Sequence, residues 1–317
     1  MGKVFTIYVF VIYLIYIRPN VSQFTSEYEG YSEICEKATN ENESCVYCMK
    51  DHKRKSSKYV YKHIVRMFFE KHTLNNNKIA LIEHQCGEPQ NYMTYGNFFK
   101  KVLSFSNSLN TYEGSNIPEK IYNEEMNNGK FKLLGIYGSN SINWLVADLG
   151  AMLSGVTTLV MHSKFSMDVI VDILNETKLE WLCLDLDLVE CLMARRNELP
   201  HLKNLIILDI VAKQGMINSN NEKEKKKSNL KSNGQDIRLS PIEYDKDKLE
   251  KFNALKEKFH NCERRLILFD GLDKTKSTNF NIINEDPDFV TSIVYTSGTS
   301  GKPGGVMLSN KNLFNQL

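Results

Sequence analysis

The sequence has no large excess of charge of either sign. Its 40 lysines and arginines nearly balance its 38 aspartates and glutamates, which leaves a formal net charge of +2 at pH 7. A charge this small, spread over 317 residues, argues against nucleic acid as a partner and against a basic membrane-binding patch. Apolar residues make up 42% of the chain, which is enough for the core of one large domain or two ordinary ones.

The chain also lacks an apolar run of the length that spans a membrane comfortably. The candidate run extends from Val4 to Ile17, between Lys3 and Arg18, whereas a transmembrane helix needs about 20 residues. The run suits the hydrophobic region of a secretory signal peptide better, although the cleavage site is poor. An uncleaved anchor and a buried core segment are the alternatives. We therefore predict a signal peptide or membrane anchor at 1–23, and a localisation in the secretory pathway or at a membrane.

Metal-binding patterns are sparse as well. Seven cysteines are scattered along the chain, and Cys45 and Cys48 form its one CxxC pair. Without a second such pair this is weak support for a zinc site. Buried free thiols are the favoured interpretation, and a disulfide in an oxidising compartment is the alternative. We assign no metal ligands to the chain.

Short apolar runs alternate with helical patterns between residues 131 and 210. Strands are predicted at 131–137, 156–161, 181–184 and 205–210. This spacing predicts right-handed crossovers and a largely parallel sheet flanked by helices, which is an α/β fold. The pattern disappears at about 215–234, where Asn, Ser and Lys dominate, so we predict a solvated, disordered insertion there.

Cap signals predict further helices outside this region. Thr94 is a suitable N-cap for a helix that carries Phe98 and Val102, and Ser309 is one for a short helix that follows it. An amphipathic helix is predicted at 61–70, with its apolar face towards the core.

The most distinctive stretch is 289–308, which has the sequence FVTSIVYTSGTSGKPGGVML. The β-branched segment that ends at Tyr295 has the composition of a buried strand. It is followed by residues that are mostly Gly, Ser and Thr. Bare amide groups and short hydroxyls are the donors that a polyphosphate needs at close range. We therefore predict an ATP phosphate-binding site formed by Thr296, Ser297, Gly298, Thr299, Ser300, Gly301 and Lys302.

The spacing of this stretch excludes a Walker-type loop. Such a loop has four residues between its first Gly and the Gly-Lys pair, whereas only two residues lie between Gly298 and Gly301, and Lys302 precedes a proline. The residues after the loop are typical of an extended strand rather than of a helix start. A Ser/Gly-rich surface hairpin without a ligand is the remaining alternative. The sequence shows no Ser/His/Asp triad, and we assign no catalytic side chain.

The segment YTSGTSGKPGGV resembles the phosphate-binding signature of the adenylate-forming (AMP-binding) superfamily, which includes acyl-CoA synthetases, luciferases and peptide-synthetase adenylation domains. Further family patterns are matched at 92–97 and by Asn140 and Trp144, so the resemblance covers about 92–317. The hydrophobic N-terminus makes the chain most like the N-terminal part of a eukaryotic long-chain acyl-CoA synthetase. It differs from the family in having Gly304 where a lysine is usual.

This resemblance implies a partial AMP-binding domain at 24–317 and a function as a fragment of a long-chain fatty acid–CoA ligase. Such enzymes use ATP with Mg²⁺ to form an acyl-adenylate and then transfer the acyl group to coenzyme A. A fatty acid and a nucleotide are therefore the expected partners. The elements that the family places after this loop are absent from the sequence, so we expect the chain by itself to be inactive. The alternative is a truncated, non-catalytic relative that acts as a binding or membrane-associated protein.

Overall fold

A computed structural model provides the fold of the chain. It describes residues 32–36, 46–49, 61–73, 75–85, 88–111, 117–121, 130–210, 212–213, 216–217, 230–232, 235–239, 243–259, 263–272, 282–296 and 303–316. The predicted signal or anchor segment at 1–23 lies outside the described residues. Every helix within the described ranges is too short or too polar to cross a membrane.

The strands of the described residues are numbered in chain order. They are β1 (Ser32–Glu36), β2 (Val46–Met49), β3 (Ile79–Gln85), β4 (Glu88–Thr94), β5 (Glu119–Ile121), β6 (Lys130–Tyr137), β7 (Thr157–Met161), β8 (Trp181–Leu184), β9 (Asn204–Ile207), β10 (Ala212–Lys213), β11 (Met216–Ile217), β12 (Leu230–Ser232), β13 (Gln235–Leu239), β14 (Glu243–Tyr244), β15 (Arg265–Leu268), β16 (Val290–Thr296) and β17 (Gly304–Ser309).

The α-helices of the described residues follow the same order. They are α1 (Ile64–Thr73), α2 (Tyr95–Thr111), α3 (Ile142–Leu153), α4 (Met167–Glu176), α5 (Leu186–Ala194), α6 (Lys246–Phe259) and α7 (Asn310–Phe314), with 3₁₀ turns at Arg196–Glu198 and Phe269–Leu272.

An eight-stranded sheet forms the centre of the fold. Its strands lie in the order β15-β9-β8-β6-β7-β16-β17, and β5 pairs with the beginning of β6. All neighbours from β15 to β16 are parallel, whereas β17 runs antiparallel to β16 and β5 runs antiparallel to β6. The predicted largely parallel sheet is therefore confirmed.

Helices cover both faces of this sheet, so its parallel strands are buried on both sides. The alternation along β6 shows the two layers directly. Leu134 and Ile136 point into an apolar cluster with α1, α2 and α3, while Leu133 and Tyr137 point into a second cluster with α4, α5 and α6. Successive strand residues face opposite sides, which explains why the apolar runs in these strands are continuous.

The predicted strands between 131 and 210 are all present, although β9 ends at Ile207, before the predicted limit. The predicted cap at Thr94 is confirmed, and Ser166 caps α4 in the same way. Thr94 Oγ1 accepts the N–H of Asn97 at 3.2 Å, and Ser166 Oγ accepts the N–H of Val169 at 3.5 Å. Each satisfies a backbone donor that the first turn of a helix leaves without an intrahelical partner.

Short antiparallel strands lie at both ends of the insertion predicted at about 215–234. β11 and β12 each pair with β13, and β10 pairs with β14. Residues 218–229 lie outside the described residues, so a disordered insertion stays a prediction for them.

Candidate phosphate-binding site

β16 leads into the predicted phosphate loop and lies inside the sheet, between β7 and β17. Residues Ser292–Val294 pair with β7 in parallel, and nearly the whole strand pairs with β17. Ile293 and Tyr295 are buried in the cluster beneath α4 and α5. The predicted buried strand is therefore confirmed. Because the strand is buried, it fixes the position of the next residue, Thr296, at which the loop begins.

The loop joins the two strands of a β-hairpin whose last pair is Thr296 with Gly304. Thr296 is exposed at the end of β16. The other predicted site residues lie outside the described residues: Ser297, Gly298, Thr299, Ser300, Gly301 and Lys302. The extended conformation predicted after the loop is present as β17. This strand is antiparallel to β16, so the chain reverses direction between the two strands.

Thr296 lies at the carboxyl edge of the parallel strands. Because β6, β7, β8, β9 and β16 run in one direction, the loops that follow them emerge at the same edge of the sheet. Ligands of open α/β sheets bind in crevices outside these carboxyl ends. The fold therefore brings the start of the predicted loop to the edge where such sheets bind ligands.

Gly304 closes the hairpin on the other side of the loop. A Cβ atom added there would meet no heavy atom of the described residues within 4 Å, and the φ of Gly304 lies outside the left-handed region. The position where the resembling family has a lysine can therefore accept a Cβ atom without displacing a described neighbour.

A buried polar seam fixes β16 against β7. Thr157 Oγ1 donates to the carbonyl oxygen of Val290 at 2.7 Å. Thr158 Oγ1 lies 2.7 Å from Asp148 Oδ1 and 3.1 Å from Ser292 Oγ. Asp148 is only 2% exposed, and a carboxylate is costly to bury unless it is hydrogen-bonded. Since a slip of one residue would turn these groups to the other face, the seam determines the register of the strand that carries Thr296.

Tyr295 connects the last buried position of β16 to the end of α4. Its hydroxyl donates to Glu176 Oε2 at 3.0 Å. The residue as a whole is only 3% exposed. The residue that immediately precedes the loop is thus held by both an apolar cluster and a carboxylate.

The base of the hairpin is fastened to the loop that precedes β16. The backbone N–H of Asn310 donates to the carbonyl of Phe289 at 3.0 Å, and its Nδ2 donates to the carbonyl of Asp286 at 2.9 Å. The N–H of Lys311 donates to the carbonyl of Pro287 at 2.8 Å. A helix as short as α7 is not stable alone in water, and these contacts explain how it forms here.

Ser309 is the N-cap of α7, as predicted from the sequence. Its hydroxyl accepts the N–H of Asn312, and the Asn312 side chain accepts the backbone N–H of Ser309, which completes a capping box.

Sequence reasoning missed a polar contact at the carboxyl edge between β6 and β8. Asp185 Oδ2 accepts the N–H of Ser139 at 2.7 Å, and a Cβ at Gly138 would lie 2.8 Å from Asp185 Oδ1. Burial raises the pKa of Asp185, while the Ser139 N–H lowers it. An aspartate placed directly after a predicted strand was the signal that could have revealed this contact.

The described residues offer no metal centre. Within the ranges that the structure describes, no group of three or more His, Cys, Asp or Glu side chains could hold a metal ion. We therefore derive no step through Mg²⁺. Cys183 is a buried free thiol, as favoured from the sequence, whereas Cys191 is free and exposed. Cys45 lies outside the described residues.

Curated proteins that resemble the chain include an octapeptide-repeat antigen of Plasmodium falciparum, which is 61% identical over 225 residues and matches 68% of this chain and 32% of its own length. Two Arabidopsis thaliana proteins are also similar. The probable acyl-activating enzyme 16 is 27% identical, over 76% of this chain and 27% of its own length. Long chain acyl-CoA synthetase 8 is 22% identical, over 70% of this chain and 24% of its own length. The chain thus spans about a third or less of these relatives.

Among solved structures, the A-PCP didomain of carboxylic acid reductase from Segniliparus rugosus, in complex with AMP, has a similar fold. The TM-score is 0.52 at 11% sequence identity, over 82% of this chain and 33% of that chain. The sequence profile of the AMP-binding enzyme family matches residues 68–317, which include α2, the central sheet and the hairpin of β16 and β17. The chain therefore belongs to the AMP-binding enzyme family.

Proposed function

We propose that this chain is the N-terminal, nucleotide-binding part of an acyl-activating enzyme that forms an acyl-adenylate from a carboxylic acid and ATP. The observation that carries the proposal is the position of Thr296 and Gly304, which lie on either side of the predicted loop. They form the last pair of the hairpin of β16 and β17, at the carboxyl edge of the sheet, in a chain of the AMP-binding enzyme family. Because the chain spans about a third or less of its curated relatives, the activity is proposed for the complete enzyme.

The proposed reaction begins when a carboxylate oxygen of the substrate attacks the α-phosphate of ATP and pyrophosphate leaves. Negative charge grows on the leaving pyrophosphate in the transition state. Donors that are fixed before the reaction stabilise such charge most, because they need no reorganisation. The role proposed for 296–302 is to supply backbone N–H groups, hydroxyls and the Lys302 ammonium to the β- and γ-phosphates. The substrate is itself the nucleophile, so no Ser/His/Asp triad is required.

We propose a long-chain fatty acid as the carboxylate and coenzyme A as the acceptor of the acyl group. The support is the similarity to proteins named as an acyl-activating enzyme and a long-chain acyl-CoA synthetase, together with the hydrophobic N-terminus. A membrane-associated enzyme would meet such a substrate in the lipid phase, where long acyl chains partition.

The test of adenylate formation is isotope exchange between pyrophosphate and ATP in the full-length protein, because this exchange needs no acyl acceptor. We expect exchange that depends on palmitate, with a weaker response to acetate. Thr296→Ala should lower kcat/KM for ATP about tenfold, which corresponds to about 1.4 kcal/mol. The control is Asn253→Ala. Asn253 is an exposed residue on α6, and this helix packs beside β15 at the far end of the sheet.

The outcomes of this assay separate the two functions that the sequence leaves open. Absence of exchange with every carboxylate, in a protein that still binds ATP, would favour the non-catalytic binding protein. Exchange that Thr296→Ala leaves unchanged would contradict the role proposed for the loop.

We further propose that residues 1–23 direct the protein to the secretory pathway or to a membrane. The apolar run between Lys3 and Arg18 supports this proposal. Residues 1–30 fused to a fluorescent protein should enter the membrane fraction or the secretory pathway. The same fusion with Val11→Asp and Leu14→Asp should not, and equal distribution of the two fusions would contradict the proposal.

A further inference from the structure

We propose that a water molecule is bound between the start of α1 and the base of the hairpin, in a polar junction formed by Tyr61, His63 and Asn310. Each of these side chains has one buried polar atom that makes no hydrogen bond within the described residues: the Tyr61 hydroxyl oxygen, His63 Nε2 and Asn310 Oδ1. His63 and Asn310 are each only 1% exposed. The inference does not depend on the proposed function, because none of these residues belongs to the phosphate loop.

Tyr61 packs on the face of α7 that carries Asn310. The ring of Tyr61 meets the ring of Phe314 edge to face, with the ring centroids 5.5 Å apart. Phe314 lies four residues after Asn310 on this helix, and residues four apart are neighbours on one helical face. The tyrosine and the asparagine therefore meet on one side of α7.

A short segment before β16 joins the start of α1 to the same place. Arg66, in the first turn of α1, donates from Nε to Glu285 Oε2 at 3.3 Å. The carbonyl oxygen of the next residue, Asp286, accepts Asn310 Nδ2 at 2.9 Å. Burial lowers the pKa of His63 to about 4, and the Glu285 carboxylate acts against this change. The buried imidazole thus lies near the segment that also holds Asn310.

The hydrogen bonds already present define what each remaining polar atom can do. His63 Nδ1 accepts the N–H of Val65 at 3.2 Å, so the neutral imidazole carries its proton on Nε2, which is a donor. Asn310 uses Nδ2 to donate to Asp286, which leaves Oδ1 as an acceptor. The Tyr61 hydroxyl can act as either. The junction therefore offers one donor, one acceptor and one group that can be both.

A small neutral molecule that both donates and accepts is the ligand that suits this set. The N–H of His63 disfavours a cation. An anion is disfavoured by Asn310 Oδ1 and by the conditions that raise the pKa of Tyr61 to about 12, namely burial and the carboxylates of Glu285 and Asp286. Water can accept from His63, donate to Asn310 and form a third bond with Tyr61. About three hydrogen bonds are typical of a buried water, and such a water removes the cost of leaving these atoms unsatisfied.

The first test is a crystal structure of the full-length protein at a resolution that shows ordered water. We expect one peak about 3 Å from His63 Nε2, from Asn310 Oδ1 and from the Tyr61 hydroxyl. Tyr61→Phe should retain the peak because two partners remain, whereas Tyr61→Phe combined with His63→Asn should lose it. A wild-type junction without the peak, or a direct hydrogen bond from Tyr61 to Asn310, would overturn the proposal.

The second test is a double-mutant cycle, read by urea unfolding at neutral pH. His63→Asn removes the Nε2 donor but keeps a side chain that caps helices, and Tyr61→Phe removes only the hydroxyl. Each change should raise the equilibrium constant for unfolding about threefold. The double variant should raise it about thirtyfold rather than about ninefold, because the water is then left with one partner and is lost, which leaves Asn310 Oδ1 unsatisfied.

The control cycle pairs Tyr61→Phe with Lys62→Ala. Lys62 is the exposed neighbour of Tyr61, and it forms a surface ion pair with Glu70 at 2.9 Å. The two effects should multiply, because an exposed ion pair has no part in a buried water site. A double variant of Tyr61 and His63 that loses no more than the product of its single variants would overturn the proposal, whatever the activity of the enzyme.

Discussion

Acidification is expected to destabilise this protein through one buried histidine, His63. The side chain is 1% exposed and lies at the start of α1, where its Nδ1 accepts the N–H of Val65 at 3.2 Å. A nitrogen that accepts a hydrogen bond is unprotonated, so the neutral ring carries its proton on Nε2. Nε2 is buried and makes no hydrogen bond within the described part of the chain. Protonation of Nδ1 would remove the cap from α1 and bury a positive charge.

The size of the effect follows from the pKa of His63. Burial lowers this pKa from 6.5 to about 4; the Glu285 carboxylate acts in the opposite direction, and the Arg66 guanidinium reinforces burial. The unfolded chain therefore binds a proton near pH 6.5, while the folded protein resists it until about pH 4. The stabilisation is present above pH 6.5 and is lost as the pH falls towards 4. At about 1.4 kcal/mol per pH unit, the loss amounts to about 3 kcal/mol.

The assay is urea unfolding at about pH 7.5 and about pH 4.5, compared between the wild-type protein and His63→Asn. Asparagine retains a side chain that caps helices well, but it does not titrate. Trp144 and Trp181, both buried, report unfolding by fluorescence. Carboxylates titrate in both proteins, so the difference between the two pH dependences isolates His63. An equal loss of unfolding free energy in the two proteins would refute the reasoning.

Three further predictions concern the hairpin and the insertion. Gly304→Lys in the full-length enzyme should lower KM for ATP, because a Cβ atom at this position meets no described atom within 4 Å and a charge-assisted contact contributes about 1.5–3 kcal/mol. An unchanged KM in steady-state kinetics would count against this prediction. Ser309→Ala should lower the free energy of unfolding by about 1 kcal/mol through loss of the capping box, measured by urea unfolding with Ser163→Ala as the control. Limited proteolysis followed by mass spectrometry should show first cleavage within 215–234, and earlier cleavage within 131–210 would contradict the predicted insertion.

The sequence by itself determined the local elements, and it predicts the chemistry of the loop. The apolar run of β6, the caps at Thr94 and Ser309 and the strand before Tyr295 were all predicted and are present. Such features depend on neighbours a few residues away, through side-chain periodicity and the unpaired donors of the first helical turn. The composition of residues 296–302 likewise indicates phosphate binding without knowledge of the rest of the chain.

Only the tertiary structure decided which distant residues support the site. β17 is the antiparallel neighbour of β16, although its sequence showed only that it is extended. Asp148, Thr158 and Ser292 meet in the buried seam, and Glu176 meets Tyr295 across 119 positions. In the sequence these are ordinary helix and strand residues, because periodicity shows which face of an element is buried but not which element covers it. The choice of partner is made when the chain closes its long loops to bury apolar surface on both faces of one sheet, and that choice is a property of the whole fold.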